Sequence, residues 1–185
     1  MPGSGKSTVA KILVEKLNAE RIYVGGIRRE LARMKGMTLE ELNHYAQTHP
    51  ETDVDIDKMA AEKALLLERE GRVVVDEGRT QFHFLSQSIK IYIKVSVEEG
   101  ARRIWQDLQQ HETSEQRNEG KIGSFDEMKK SIMAREEEDA FRYKKYYDID
   151  HRDEKQYDLV VDSTSISAVE CAEKVLSFIR SKKSV

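Results

Sequence analysis

The 185-residue chain carries 31 basic and 34 acidic residues, a formal net charge of −3, 38% hydrophobic and 35% charged residues, and one cysteine. That length suits one domain with an ordinary core. The near-even charge leaves no basic stripe for nucleic acid, and a lone cysteine excludes an internal disulfide or a cysteine-rich zinc site. No apolar run approaches the ~20 residues of a membrane span, and the start lacks the basic and apolar pattern of a secretion signal. The expectation is a cytoplasmic protein that binds neither nucleic acid nor membrane.

The chain opens on Pro2-Gly3-Ser4-Gly5-Lys6-Ser7-Thr8, the greater part of the phosphate-binding pattern G-x-x-x-x-G-K-[ST]. Gly3 and Gly5 allow turns that a Cβ would obstruct, so that backbone N–H groups converge on an anion. Lys6 places a point charge against phosphates, Ser7 offers a hydroxyl to Mg²⁺, and the following helix aims its positive end at the same place. Counting back from Gly5 puts the motif's first glycine one residue before Met1, together with the buried strand that delivers such a loop. The expectation is that the sequence begins at an internal Met, with unpaired backbone groups left on two neighbouring strands.

Val9, Ile12, Leu13 and Leu17 recur at helical spacing. Arg21–Val24 reads as a short strand closed by Gly25-Gly26, with a helix from Ile27 to Met34 that places Arg28 and Arg29 just past a strand's carboxyl end. Thr38-Leu39-Glu40-Glu41 is a capping box for a helix to about Gln47. A longer helix from Asp53 to Arg69 stops at Gly71. Val73-Val74-Val75 is fully apolar and reads as a buried parallel strand tipped by Asp76-Glu77-Gly78-Arg79, with Asp76 as the carboxylate for a Mg²⁺ shell. Gln81-Phe82-His83-Phe84 reads equally as a base-pocket wall or as a connection packing on the core.

Ile89–Val95 is the next strand, and Ser96-Val97-Glu98-Glu99 caps a helix in which Trp105 reads as core. Residues 109–124 are polar and glycine-punctuated, as lids often are. Ser124-Phe125-Asp126-Glu127 starts a long helix toward Tyr147. Within it Arg135, Asp139 and Arg142 share one face, which suits either two guanidinium groups on one anion or a solvated ion-pair ladder. Leu159–Asp162 is the last strand, and Ser167-Ala168-Val169-Glu170 caps a closing helix. Cys171 reads as a buried spectator, and the five histidines as surface or loop residues with no metal-ligand spacing.

The P-loop, the Gly25-Gly26 to Arg29 turn, Glu77-Gly78-Arg79, and Arg135-x-x-x-Asp139-x-x-Arg142 with the following Tyr143-Lys144-Lys145-Tyr146-Tyr147-x-Ile149-Asp150 together resemble the cytidylate kinase family, archaeal-type branch, over nearly the whole chain. The resemblance implies an α/β P-loop kinase fold: a parallel sheet, five-stranded in relatives and flanked by helices. A monophosphate-binding region at 26–70 and a lid at 109–124 would belong to one domain, 1–185. It further implies a monomeric enzyme that moves phosphate from ATP, with Mg²⁺, to CMP or dCMP. Pro2 to Thr8 would bind ATP, with Ser7 and Asp76 on the metal. Arg28, Arg29, Gly78 and Arg79 would bind the acceptor, and Lys6, Arg135, Asp139 and Arg142 would act on the transferring group. The competing expectations are a P-loop kinase for another small acceptor and a nucleotide-binding module without turnover.

Overall fold

A computed structural model describes residues 1–110 and 122–183. The chain runs α1 (Lys6–Leu17), β1 (Glu20–Tyr23), α2 (Val24–Met34), α3 (Leu39–Tyr45), α4 (Glu51–Arg69), β2 (Val74–Glu77), α5 (Gln81–Phe84) and β3 (Ile91–Lys94). It continues through α6 (Val97–Leu108), α7 (Phe125–Tyr147), a single 3₁₀ turn (Glu154–Gln156), β4 (Leu159–Asp162) and α8 (Ala168–Lys183). Most of the expected lid, 109–124, lies outside the described residues.

The helices begin where their caps dictate. Glu41 N–H donates to Thr38 Oγ1 at 3.2 Å while Glu41 Oε2 accepts from Thr38 N–H at 2.7 Å, the reciprocal pair that starts α3. Ser96, Ser124 and Ser167 accept from the backbone of Glu99, Glu127 and Glu170 at 3.3, 3.2 and 3.2 Å. Each such cap is worth ~1 kcal/mol. Gly71, at φ 77°, ends α4 in the left-handed conformation.

All strand pairing is parallel, but the described strands form two separate pairs and not one sheet: β1 with β2, and β3 with β4. In consequence the run expected to be a buried strand is only partly covered: Val74 and Val75 are half-buried and Val73 is exposed. The largest apolar cluster joins α1, β3, β4 and α8 through Val9, Leu13, Ile93, Val161, Val175 and Leu176, with Cys171 fully buried among them and Val75 of β2 against its edge. A second cluster, Ile22, Val24, Ile56, Ala60 and Ala64, fastens α2 and α4 to β1. The third packs α6 on α7 through Ala101, Ile104, Met128 and Ile132, with Trp105 half-buried beside them.

Two local expectations change. Gly25-Gly26 do not close the strand, because the helix starts at Val24 and takes both glycines into its first turn. The Tyr23 ring lies over them, and a Cβ on Gly26 would stand 2.5 Å from it. His151 is no surface residue: it is 2% exposed, edge-on to Tyr143 at 5.2 Å and 3.5 Å from Glu136.

Candidate functional site

A cavity of roughly 320 Å³ opens where α1 begins, and residues 1 to 8 form one wall of it. Gly3 and Gly5 have φ 75° and 76°, in the left-handed region that the loop's turns require. The loop is held from below: Ser163, just past β4, donates from Oγ to the Ser4 carbonyl at 2.9 Å. Arg103 of α6 donates to the Ser163 carbonyl at 2.6 Å and to the Gly3 carbonyl at 3.4 Å. Helix α6 approaches so closely that a Cβ on Gly3 would lie 2.3 Å from the Gly100 oxygen, and one on Gly100 would lie 2.7 Å from the Pro2 oxygen. Gly100 is therefore as constrained as the loop's own glycines, yet nothing in its local sequence marks it.

Lys6 is the half-buried first residue of α1. Burial lowers its amine to about 8; Glu77 opposes that shift, while Arg79, Arg135 and Arg29 add to it. An ammonium placed among three guanidinium groups makes a strongly positive site that favours an anion.

Ser7 donates its hydroxyl to Glu77 Oε1, while Arg21 holds Glu77 Oε2. Glu77 lies on the cavity wall and Asp76 does not. Successive strand residues point to opposite faces, and β2 gives the P-loop face to Glu77. Both Asp76 oxygens are buried with no hydrogen-bond partner among the described residues, and burial, with Asp57 and Glu77 nearby, pushes that carboxyl up to about 7. Of the two carboxylates at the strand tip, the structure brings Glu77 to Ser7, while Asp76, expected beside Ser7, is not on this wall. The two hard oxygen donors of Ser7 and Glu77 suit a small divalent cation such as Mg²⁺.

Arg28, Arg29, Gly78, Arg79, Arg135 and Asp139 all reach the same cavity. Gly78 lets α5 approach, since a Cβ there would meet Gln81 Cγ at 2.5 Å. Arg29 donates to Tyr23 Oη at 2.8 Å and to the Gly25 carbonyl at 3.0 Å. Arg28 is buried and donates to Asp53, to Asn43 Oδ1 at 2.9 Å and to the Thr52 carbonyl at 3.2 Å. Arg79 pairs with Asp139 and, at 2.8 Å, with Glu136.

Arg142 departs from expectation. It is fully buried and is absent from the cavity wall. Its Nε donates to Asp53 at 2.8 Å, one terminal nitrogen to Asp139, and the other to the Asn43 carbonyl at 3.4 Å. Asp53 and Asp139 each bind two arginines, Arg28 with Arg142 and Arg79 with Arg142. Burial alone would raise the Asp139 pKa, but Arg79, Arg142, Arg135 and Arg28 hold it below the usual carboxylate range. The face expected to meet an anion directly thus splits, Arg135 toward the cavity and Arg142 into a buried lattice that fixes its neighbours. Asp53 escapes sequence reasoning because its partner lies 89 residues away.

Residues 1–123 match a family model described as an AAA domain. A cytidylate kinase of Methanosarcina mazei is 40% identical over 166 residues, covering 88% of this chain and 83% of the relative. One from Archaeoglobus fulgidus is 37% identical, covering 98% and 92%, and one from Methanocaldococcus jannaschii is 34% identical, covering 89% and 85%. The crystal structure of an uncharacterized protein from Eubacterium ventriosum superposes with a TM-score of 0.65 at 17% identity, covering 97% of this chain and 93% of the other. That last likeness concerns fold alone. With such identity to these archaeal relatives over most of both chains, and the P-loop, Glu77-Gly78-Arg79 and Arg135 of α7 gathered on one cavity, the chain belongs to the cytidylate kinase family.

Proposed function

We propose that the protein transfers the γ-phosphoryl group of ATP to CMP or dCMP, giving CDP or dCDP and ADP. The observation that carries this is the convergence on one cavity of a left-handed glycine loop with Lys6 at its end and of Arg28, Arg29, Arg79 and Arg135. In the reaction an acceptor phosphate oxygen forms a bond to the γ-phosphorus as the bond to the β,γ-bridging oxygen breaks. The charge is spread over the transferring oxygens, so catalysis is positioning and electrostatic stabilisation.

Residues 2–8 would cradle the donor, with Lys6 on its terminal phosphates. Arg29 and Arg79 would seat the acceptor phosphate, and Arg135 would follow charge between the two. The 26–70 region, α2 to α4, would close around the acceptor. Asp139 and Arg142 act as positioning residues, since their bonds run to Arg79 and Asp53. Ser7 and Glu77 would hold Mg²⁺, which when bound neutralises phosphate charge.

A coupled ADP-release assay across CMP, dCMP, UMP, AMP and shikimate is expected to favour the cytidine nucleotides. Preference for AMP or shikimate would overturn the assignment. The depressed Lys6 amine gives a second expectation. A phosphate beside it raises its pKa, so binding takes up a proton, and affinity is full below about pH 8 and falls as pH rises through that value. Calorimetry of ATP binding at pH 8.5 in two buffers of different ionisation enthalpy is expected to show net proton uptake. None would mean that Lys6 is not the group on the phosphate.

A further inference from the structure

The acceptor's base must be read somewhere on this cavity, and its carboxylates are not alike. Asp53 and Asp139 are each bound by two arginines, and Glu77 by Arg21 and Ser7. Asp57 differs. It is 4% exposed, lies on the wall, and accepts from neutral groups: Tyr147 Oη at 2.8 Å, the Thr80 side chain and, more weakly, Gln81 Nε2 at 3.5 Å. A carboxylate buried without a bonded cation works against the fold, and an apolar side chain there would serve stability better.

Gln81 is equally telling. It is 4% exposed, its amide nitrogen also donates to the Asp57 carbonyl at 3.3 Å, and its Oε1 is buried with no hydrogen-bond partner among the described residues. Gln81 Oε1 therefore holds unused acceptor capacity beside Asp57, whose carboxylate keeps a lone pair beyond those its three neutral donors take. Asn43, also on the wall, has its carbonyl oxygen engaged by Arg28 at 2.9 Å, so what it offers a ligand is a donor.

We propose that Asp57, supported by Gln81, reads the exocyclic amino group of the acceptor's cytosine. That amino group supplies two N–H donors, while uracil presents a carbonyl oxygen at the same position. Uracil would turn an acceptor onto a buried carboxylate and leave it unpaired, the kind of mismatch by which polar sites reject close analogues. Asn43, a donor, complements the ring acceptors that follow the amino group on the cytosine edge. The idea rests on the function proposed above, and it names the group that sets pyrimidine choice.

The test compares kcat/KM for three acceptors, CMP, UMP and the monophosphate of the pyrimidin-2-one riboside, which is cytidine without its amino group. The wild-type protein is expected to favour CMP over both by on the order of 100-fold or more. Asp57→Asn, which adds a donor, is expected to cut the CMP-to-UMP preference at least tenfold, with the affinity for ATP unchanged. Wild-type protein that phosphorylates AMP and not CMP would sink the function reading. Wild-type protein that uses CMP and the amino-less analogue equally well would sink the role of Asp57 alone. The analogue arm needs no variant, so a poorly folding Asp57→Asn leaves the question decidable, and an unchanged preference in a folded variant would also overturn the proposal.

Discussion

Replacing Lys6 by Ala is expected to lower turnover by orders of magnitude while leaving the melting temperature of the unliganded protein level or slightly higher. The amine is half-buried, its protonation is already disfavoured by burial, and Arg79, Arg135 and Arg29 repel its charge. Removing it relieves that repulsion without opening a deep cavity, so the fold loses little. In the loaded site the same ammonium faces the oxygens on which charge grows during transfer, where one electrostatic contact counts most in a water-poor cleft. Steady-state kinetics beside a thermal melt separates the two effects. Activity within about threefold of the wild type would show that the phosphate cradle has been assigned wrongly.

Arg142→Ala is expected to do the reverse and strike the fold first. The side chain is fully buried between Asp53 and Asp139, and its loss strips one of two cations from each carboxylate and a donor from the Asn43 carbonyl. Breaking a buried pair from one side costs about 3–5 kcal/mol, which for a chain of this size lowers the melting point by roughly 6–20 °C. Arg142→Lys is expected to rescue only part of the loss, because one ammonium cannot span three acceptors on three helices. Denaturant unfolding of both variants checks this. A change below about 1 kcal/mol combined with a hundredfold loss of kcat/KM would instead put Arg142 directly on the phosphates.

Much of this was legible in the residues. Thr38, Ser96, Ser124 and Ser167 set helix starts through bonds that span three residues, and Gly3 and Gly5 announce a loop that only glycine can form. What stayed hidden depended on phase or on distance. Val73-Val74-Val75 is apolar on both faces, so the alternation that would have chosen Glu77 over Asp76 carried no signal. Periodicity put Arg135, Asp139 and Arg142 on one face, but not which part of that face would meet Asp53 on α4. Asp57 sits in a run, Asp53-Val54-Asp55-Ile56-Asp57, whose charges read as solvated until burial separates Asp53 and Asp57 from exposed Asp55.

The division of the strands into two pairs bears on how the protein behaves in concentrated solution. Among the described residues each strand has a single strand neighbour, so each pair ends in rows of N–H and C=O groups able to template another extended chain. Charge guards some of these rows: β1 opens on Glu20 and Arg21, and β3 is bracketed by Lys90 and Lys94. At β2 the apolar stretch is short, lying between Arg72 and Asp76, but its first residue, Val73, is 45% exposed and leads into two further valines. Aggregation on warming or long storage is therefore expected to seed at β2, apart from the buried ion lattice that governs unfolding.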